Sequence, residues 1–327
     1  MKDRVLVTGA AGFIGNHLAN RLQKNDFDVV AIDKIKYPNE QGFRWKIGDV
    51  TDRHFLEKSF ENFKYIFHVA GLVTAVSVPD KLFEEVHIKS TDILCRLSLE
   101  RGVERFIYCG SDSVVGRIDN EPADENTSCF PENIYSRTKY EGERIALKYF
   151  EEKGLPVTVL RPTWTYGPGD KRTLKLFKLL KKNKFIMIGK GDVSIHPLYI
   201  ENLLDAFILI LNNDKSIGEV FIIADDKPII LKDFIYLISQ ECNVSLQRFY
   251  IPKSLAYILA TILEILFYPT GLTPPLHRRR LSFFTSERKY SIEKAREILG
   301  YEPKINMKDG IKQTIMWYDN KGYFCDN

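Results

Sequence analysis

A tyrosine and a lysine stand four positions apart, at Tyr135 and Lys139, within a segment that has a helical pattern. On a helix, residues with this spacing lie on one face, one turn from each other. A nearby ammonium stabilises the phenolate, so we expect the pKa of Tyr135 to be lowered from ~10 toward a range that suits acid–base work. The pair alone is also typical of an ordinary amphipathic helix, but Ser111 follows a predicted strand and adds a hydroxyl. Together the three side chains indicate proton transfer on a secondary alcohol or ketone.

Three regularly spaced glycines, Gly9, Gly12 and Gly15, separate a predicted strand from a predicted helix. In such a loop the first glycine permits the tight turn, the second lets the backbone approach a pyrophosphate, and the third allows the helix to pack closely on the sheet. The unpaired amides and the dipole of the helix N-terminus favour the negative charge of a diphosphate. The loop therefore predicts a dinucleotide site, beside which Ser111 is expected at the carboxyl end of its strand.

The next predicted strand is closed by Asp33. A carboxylate in this position accepts hydrogen bonds from both hydroxyls of an adenosine ribose and repels a 2′-phosphate. We therefore expect NAD as the cofactor, and a surface aspartate at the start of a loop is the alternative interpretation. Lys34 and Lys36 lie close by in the sequence and leave room for NADP.

These residues can form one site only if the fold brings the ends of several strands together. The first half of the chain has a pattern of alternating strands and helices that is typical of such a fold. Predicted strands at 4–8 and 27–32 flank a predicted helix at 13–24, and the alternation continues. It predicts a parallel sheet with helices on both faces, a Rossmann-type doubly wound α/β fold. We expect an NAD-binding Rossmann domain over 1–165, to which the chain can cross back once later. A smaller, mainly helical substrate-binding region is expected over 166–327.

Composition argues against several classes of protein. The chain has 47 basic and 43 acidic residues, and the resulting net charge of +4 is too mild for a nucleic-acid-binding surface. Five scattered cysteines without a Cys-x-x-Cys pair favour reduced thiols in the cytoplasm and argue against a metal site. The chain enters its first predicted strand within a few residues, so we expect no signal peptide.

An apolar stretch from Leu255 to Tyr268 precedes a basic run, Arg278 to Arg280. Thr261 and Glu264 interrupt the apolar stretch, and it is shorter than the ~20 residues that span a bilayer. We expect a core or dimer helix here, with a lid over an apolar substrate or a peripheral membrane contact as alternatives. The basic run is either a solvated helix face or a binding site for phosphate.

The chain resembles the extended short-chain dehydrogenase/reductase family, which includes NAD-dependent epimerases/dehydratases and 3β-hydroxysteroid dehydrogenase-like enzymes. The resemblance covers almost the whole chain and rests on Thr8 to Gly15, Gly48 to Asp52, the serine cluster through Gly116, Tyr135 to Lys139, Leu160 to Asp170, Tyr199 to Ala206 and Lys294 to Pro303. It implies that Tyr135 is the general acid/base and that Lys139 binds the nicotinamide ribose and tunes the tyrosine. It also implies that Ser111 hydrogen-bonds the reacting oxygen. The predicted cofactor contacts are Gly9, Gly12, Phe13, Ile14, Gly15, Asp33, Asp49, Val50, Ala70, Gly71, Tyr135, Lys139 and Pro162.

Some departures from the family pattern bear on the substrate. Dehydratases of the family read Thr-Asp-Glu at the serine cluster, where this chain has Ser111-Asp112-Ser113, so we do not expect a dehydratase. Many sugar-nucleotide members carry an arginine that grips the substrate diphosphate where this chain has Ile195, followed by His196. Arg279 in the basic run is then the candidate cation. His87 replaces the usual asparagine and is expected to pack or to hydrogen-bond rather than to catalyse.

The leading functional hypothesis is a sugar-nucleotide epimerase. Such an enzyme oxidises a hydroxyl, turns the transient keto intermediate and returns the hydride to its other face. The first alternative is an NAD(P)-dependent dehydrogenase of a hydrophobic alcohol of sterol or terpenoid kind, and the second is a non-catalytic NAD-binding sensor. We expect a cytoplasmic homodimer that binds a small molecule, and neither a metal nor nucleic acid. The predicted substrate contacts are Ser111, Asp112, Thr163, Trp164, His196 and Arg279.

Overall fold

The computed structural model describes residues 2–37, 42–73, 78–118, 121–246, 250–267, 274, 276 and 278–324, and only the backbone of Arg278, Arg279, Arg280 and Ser282. The strands are β1 Arg4–Thr8, β2 Asp28–Asp33, β3 Arg44–Ile47, β4 Tyr65–His68, β5 Arg105–Cys109, β6 Val157–Pro162, β7 Trp164–Tyr166, β8 Met187–Ile188, β9 Ser194–Ile195, β10 Pro197–Tyr199, β11 Val220–Ile223, β12 Ile229–Ile230 and β13 Tyr250–Ile251. The α-helices are α1 Phe13–Lys24, α2 Arg53–Ser59, α3 Asp80–Glu84, α4 Ser90–Glu100, α5 Ile134–Lys153, α6 Leu174–Lys181, α7 Ile200–Leu211, α8 Leu231–Glu241, α9 Lys253–Phe267, α10 Arg278–Thr285 and α11 Met307–Asn320. A π-helical turn, Glu85–Lys89, joins α3 to α4.

Seven of the strands form one parallel sheet in the order β11, β6, β5, β4, β1, β2, β3. Alternate residues of β1 belong to different hydrophobic cores, with Val5 and Val7 in one and Leu6 in the other. Strands that are buried on both faces are typical of a parallel sheet covered by helices on both sides. The predicted Rossmann-type doubly wound α/β fold is therefore confirmed.

Each core is completed by its own set of helices. Leu18 of α1 and Leu203 of α7 belong to the core that contains Val5. Leu56 of α2 and Leu94 of α4 belong to the core on the opposite side. The sheet is thereby held between two packed layers, which keeps its strand ends in fixed positions.

Within the described residues, the second half of the chain adds three small sheets and six α-helices. Strand β7 pairs with β10, β9 with β12 and β8 with β13. Between these pieces the chain returns to the main sheet as β11, which lies parallel to β6. The helices α6 to α11 complete this half. The division into two domains at residue 165 stays a prediction.

The apolar stretch that was expected to form a core or dimer helix is helix α9, and only Ala256 and Ala260 of α9 are buried. The core alternative is therefore wrong for the residues up to Phe267, the dimer helix stays a prediction, and Tyr268 lies outside the described residues. Every helix in the described ranges falls short of the length and hydropathy that a membrane crossing requires.

The carboxyl ends of five neighbouring strands lie along one edge of the main sheet, at Thr8, Asp33, His68, Cys109 and Pro162. Open α/β sheets bind their ligands outside this edge. The glycine loop follows the first of these residues, and the serine cluster follows the fourth. The fold therefore brings the sequence motifs to a single edge.

Candidate active site

The glycine loop after β1 closes tightly on its own backbone. Gly9 has a φ of +68°, and a Cβ added there would lie 2.6 Å from the Cα of Ala70. A Cβ added at Gly15 would lie 2.2 Å from the carbonyl oxygen of Gly9. Helix α1 begins directly after Gly12, and no side chain of the described residues caps its N-terminus. The amides of its first turn form a cradle that fits a pyrophosphate.

Two backbone amides hold Asp33 beside this cradle. The amide of Ala11 donates to Asp33 Oδ2 at 2.9 Å, and the amide of Lys34 donates to Asp33 Oδ1 at 2.7 Å. Each carboxylate oxygen keeps a further lone pair that can accept a ribose hydroxyl. Lys34 Nζ lies 2.7 Å from Asp49 Oδ2. An acidic partner therefore engages one of the two lysines that would favour NADP.

A cavity of about 470 Å³ opens between the glycine loop and the ends of β2 and β4. The predicted cofactor contacts that line it are Gly9, Gly12, Phe13, Ile14, Gly15, Asp33, Asp49, Val50, Ala70 and Gly71. Within the part of the chain that the structure describes, no group of His, Cys, Asp and Glu side chains could hold a metal ion. The lining of this first cavity suits a dinucleotide.

A second cavity, of about 740 Å³, adjoins the first and shares several lining residues with it, among them Ile14, Gly71 and Arg172. The predicted contacts that line it are Ser111, Asp112, Tyr135, Lys139, Pro162, Thr163 and Trp164. The ends of β5 and β6 and the first turns of α5 therefore meet where the two cavities join. A cofactor in the first cavity and a substrate in the second would be in contact there.

Tyr135 stands in the first turn of α5, which a capping box holds in place. The amide of Ser136 donates to Asn133 Oδ1 at 3.1 Å, and the amide of Asn133 donates to Ser136 Oγ at 3.1 Å. These reciprocal bonds satisfy amides that a helix N-terminus otherwise leaves unpaired. The phenol of Tyr135 is thereby positioned to share a hydrogen bond with Ser111.

Lys139 lies one turn further along α5 and is buried. Its Nζ donates to the carbonyl oxygen of Cys109 and stands 4.4 Å from the centroid of the Tyr108 ring. Burial raises the pKa of Tyr135, while the hydrogen bond with Ser111 acts in the opposite direction. The expected lowering of the tyrosine pKa is therefore not found. Burial outweighs the opposing effects, and a backbone carbonyl engages the ammonium.

Local bonds also fix Ser111 at the end of β5. Its Oγ accepts the amide of Ser113 at 3.2 Å and donates to Asp112 Oδ1 at 3.3 Å. Burial raises the pKa of Asp112, against which the charge of Arg288 and a hydrogen bond with Tyr290 act. Asp112 therefore links the serine cluster to residues far along the chain, which also line the second cavity.

Three arginines that line the second cavity are missing from the predicted substrate contacts: Arg117, Arg172 and Arg288. Arg172 Nε donates to Asp170 Oδ1 at 2.8 Å, and its Cζ lies 5.6 Å from the centroid of the Phe13 ring. Its position two residues after the Gly-Asp pair of the family motif is a signal that could have identified it. Arg288 lies in no motif and reaches the cavity only through the folding of the second half of the chain.

Two other residues, His196 and Arg279, were also predicted to contact the substrate. His196 is not among the described residues that line either cavity. Its ring is buried, with Nε2 2.7 Å from the carbonyl oxygen of Asp225, and Nδ1 accepts the amide of Tyr290 at 3.4 Å. The ring therefore positions backbone near the cavity instead of contacting a ligand in it. The side chain of Arg279 lies outside the described residues.

The part of the chain that builds most of both cavities matches a known family. The model of the NAD dependent epimerase/dehydratase family matches residues 5–224. The chain belongs to this family. The glycine loop, Asp33, the serine cluster and the Tyr135–Lys139 pair all lie within the matched range. The predicted family, the dependence on NAD and the prediction of an enzyme are thereby confirmed.

Relatives of this epimerase/dehydratase family member differ in their activities. The dTDP-D-glucose 4,6-dehydratase of Mus musculus is 29% identical over 96% of this chain and 88% of the mouse protein. The 3 beta-hydroxysteroid dehydrogenase/Delta 5-->4-isomerase of Mycobacterium tuberculosis is 27% identical over 96% of this chain and 90% of its own length. The crystal structure of UDP-glucose 4-epimerase from Thermotoga maritima with UDP-glucose is 22% identical and superposes with a TM-score of 0.81 over 97% of this chain and 99% of that chain. This last likeness shows a shared fold.

His87 ties the loop after β4 to helix α5 in this member of the epimerase/dehydratase family. Its Nε2 accepts the amide of Leu72 at 3.0 Å, so the ring proton is on Nδ1, which donates to Thr138 Oγ1 at 2.8 Å. The Thr138 hydroxyl donates in turn to the carbonyl oxygen of Ile134 at 2.8 Å. Burial lowers the pKa of His87 to about 2. His87 is therefore a neutral hydrogen-bonding residue, as predicted.

We expect His87→Asn to make the free energy of unfolding less dependent on pH. Below the ordinary histidine pKa of 6.5 the unfolded chain protonates His87 while the folded chain keeps it neutral, so stability falls as the pH drops. One such proton contributes about 1.4 kcal/mol per pH unit. Urea unfolding of both proteins at several pH values between about 7 and 5 gives the free energy of unfolding as a function of pH. The slopes of the two plots should differ by the uptake of one proton. Equal slopes would contradict the neutral state of His87.

Asparagine is the suitable replacement because it keeps an acceptor for the amide of Leu72 and a donor for the hydroxyl of Thr138. His87→Leu removes both partners and leaves buried polar groups unpaired, which costs about 1–3 kcal/mol per group. We therefore expect the leucine variant to be less stable than the asparagine variant at neutral pH. This order identifies the hydrogen bonds, rather than the volume of the ring, as the contribution of His87.

Proposed function

We propose that the protein is an NAD-dependent epimerase that acts on a secondary alcohol of a nucleotide sugar through a transient ketone. The observation that carries this proposal is that Arg117, Arg172 and Arg288 line the same cavity as Ser111 and Tyr135. Guanidinium groups bind phosphate through paired hydrogen bonds. A sugar joined to a diphosphate presents both an alcohol and phosphates to one cavity. The similarity to a dTDP-D-glucose dehydratase adds support.

The hydroxyl of Thr163 offers a further polar contact to such a substrate. Thr163 lines the second cavity, and its Oγ1 is buried without a hydrogen-bond partner among the described residues. A buried hydroxyl that lacks a partner costs about 1–3 kcal/mol. A hydroxyl of a bound sugar would supply the missing hydrogen bond.

In this proposal Tyr135 and Ser111 carry out the proton transfer. Because burial raises its pKa, the phenol of Tyr135 is protonated at neutral pH and can donate to the oxygen of a ketone. In the oxidative direction the phenol of Tyr135 first releases its proton to solvent, and the hydrogen bond with Ser111 stabilises the phenolate. The phenolate then accepts the proton of the alcohol and returns it to the oxygen of the ketone in the reductive step. Lys139 holds the first turns of α5 against the carbonyl oxygen of Cys109. When bound, NAD supplies the acceptor and donor for the hydride.

The cofactor contacts are assigned from the first cavity. The glycine cradle holds the pyrophosphate, and Asp33 accepts the hydroxyls of the adenosine ribose. Gly71 lines both cavities, Ala70 lines the first, and Pro162 lines the second. These small or rigid residues leave space for the nicotinamide end beside Tyr135.

The oligomeric state and the cellular compartment are part of the same proposal. We expect a homodimer in the cytoplasm that binds a small-molecule substrate. The described cysteines Cys95, Cys109, Cys129 and Cys242 are free thiols, which supports a reducing compartment. Light scattering of the purified protein tests the dimer.

A second candidate function is the dehydrogenation of a hydrophobic alcohol. It is favoured by an aromatic wall in the second cavity, where the ring centroids of Trp164 and Phe283 lie 5.1 Å apart. The similarity to a 3 beta-hydroxysteroid dehydrogenase points the same way. The two functions differ in net reaction, because only the dehydrogenase consumes free cofactor. An aromatic wall can also stack on a nucleobase, and the arginines support the first candidate.

Arg288→Met is expected to raise the KM for the nucleotide sugar by about 10- to 150-fold, since a hydrogen bond to a charged group contributes about 1.5–3 kcal/mol. Methionine keeps an unbranched apolar stem and removes the guanidinium, whose Cζ lies 6.0 Å from the centroid of the Phe283 ring. Arg288→Lys is the matched control, because it keeps the charge and loses the forked geometry, and its KM should lie in between.

Initial rates with a panel of UDP-, GDP- and dTDP-sugars measure the effect of Arg288→Met. An unchanged KM would remove Arg288 from the proposed phosphate contacts. If no nucleotide sugar in the panel is a substrate and hydrophobic alcohols are turned over, the second candidate function is established instead.

A further inference from the structure

Helix α9 turns its large apolar side chains away from the protein. The residues of α9 that are buried, Ala256 and Ala260, are small and pack with Ile188 and Leu281. The large apolar side chains of α9 that are exposed are Leu255, Tyr257, Ile258, Leu259, Ile262, Ile265 and Leu266. A surface helix that faces water ordinarily has the opposite arrangement.

Most of the exposed apolar side chains form one continuous stripe. This outer face of α9 consists of Leu255, Ile258, Leu259, Ile262, Ile265 and Leu266. At about 100° per residue these side chains fall within one arc of about 120°. Ile265 and Leu266, at the far end, are 67% and 63% exposed. An exposed apolar stripe of this extent marks an interaction site.

The outer face of α9 is separate from the catalytic region. None of its side chains is among the described residues that line the two cavities, so it does not form a lid over the substrate in this structure. The apolar surface continues onto Tyr250 of β13, directly before α9, and onto Ile186 next to β8. A partner outside the active site must therefore account for it.

Basic residues border the apolar surface. Lys182, Lys184 and Lys190 are exposed and flank β8, which pairs with β13 at the start of α9. The run Arg278 to Arg280 opens α10, whose Leu281 packs against the buried alanines of α9. An apolar stripe with exposed lysines beside it matches the interface of a membrane, where acyl chains lie next to negatively charged headgroups.

We propose that the outer face of α9 inserts into the headgroup region of a bilayer that contains anionic lipids, with the helix parallel to the membrane surface. Helix α9 has 15 residues, fewer than the ~20 that span a bilayer. A second copy of the chain fits this face less well, because a two-fold contact would place the exposed lysines of both subunits in one interface. The proposal does not depend on the identity of the substrate.

Flotation of the full chain with lipid vesicles tests this proposal. We expect vesicles of phosphatidylcholine with phosphatidylserine to bind about tenfold more protein than vesicles of phosphatidylcholine alone, and added salt to weaken the binding. The triple variant Ile262→Gln/Ile265→Gln/Leu266→Gln should bind about tenfold less, because apolar side chains no longer enter the acyl boundary.

Met316→Gln is the matched control, since Met316 of α11 is 53% exposed and lies outside the outer face. It should bind vesicles like the wild type, and all of these proteins should keep the same melting temperature because the altered side chains are exposed. Failure of the wild type to bind phosphatidylserine vesicles overturns the proposal, and so does full binding by the triple variant. Loss of a dimer in the triple variant alone would assign the outer face to a second copy and would also overturn it.

Discussion

Tyr135→Phe is expected to lower kcat by about 10²- to 10⁴-fold, which is the usual contribution of a positioned acid/base group. The substitution removes only the phenolic hydroxyl and its hydrogen bond with Ser111. Binding of NAD should change little, because the glycine cradle and Asp33 lie in the other cavity. Initial rates and a titration with NAD measure the two effects separately.

Tyr140→Phe is the matched control for this experiment. Tyr140 stands on the same helix, packs against the cluster that contains Val114 and Tyr290, and is not among the described residues that line the second cavity. Its loss of a hydroxyl should leave kcat close to the wild-type value. A Tyr135→Phe variant that keeps most of the wild-type rate would remove Tyr135 from the acid/base role.

A strong preference for NAD over NADP is the second large effect, and Asp33→Asn should reduce that preference by about 10- to 150-fold. Asn keeps an oxygen that can accept the amide of Ala11, so the loop geometry survives the change. It loses the negative charge that repels a 2′-phosphate and that strengthens the hydrogen bonds to the ribose, each worth about 1.5–3 kcal/mol. Titration of the cofactor-free protein with NAD and NADP gives the ratio of affinities.

Lys34→Met tests whether Lys34, the cation next to Asp33, also contributes to the choice between NAD and NADP. Because Lys34 pairs with Asp49, its removal should leave the ratio of NAD to NADP affinity nearly unchanged. Tighter binding of NADP than of NAD by the wild type would mean that a lysine, and not Asp33, faces the ribose.

The cofactor cavity could be predicted from sequence because its geometry is local. Gly9 and Gly15 are separated by a few residues, and the contacts that exclude side chains from them involve the loop itself and the end of β4. Asp33 ends the strand next to the loop, so parallel pairing places it there without further information. The spacing of Tyr135 and Lys139 likewise specifies one helix face.

The substrate side of the site depends on contacts that no spacing reveals. Arg288 lies beside Asp112 only because the second half of the chain folds back over the sheet edge. His196 has the residue type of a ligand contact, but its register turns the ring toward the carbonyl of Asp225. Pattern reasoning can name a polar residue near a motif, whereas the direction of its side chain follows from tertiary packing.

Burial accounts for the other differences from expectation. The spacing of Lys139 predicted a lowered pKa for Tyr135, but desolvation of the phenol dominates and raises it. The hydropathy of α9 predicted a core or dimer helix, and only the small Ala256 and Ala260 are buried in the protein. Composition cannot distinguish a buried apolar helix from one that is apolar toward the outside.

Analysis of the sugar product by NMR spectroscopy, after incubation of the protein and NAD with UDP-, GDP- and dTDP-sugars, tests the central claim most directly. We expect one nucleotide sugar to be converted to the epimer at a single carbinol carbon, with no net change in the amount of NAD. We expect no conversion by Tyr135→Phe. Unchanged nucleotide sugars at millimolar concentration, together with net reduction of NAD by a hydrophobic alcohol, would contradict it.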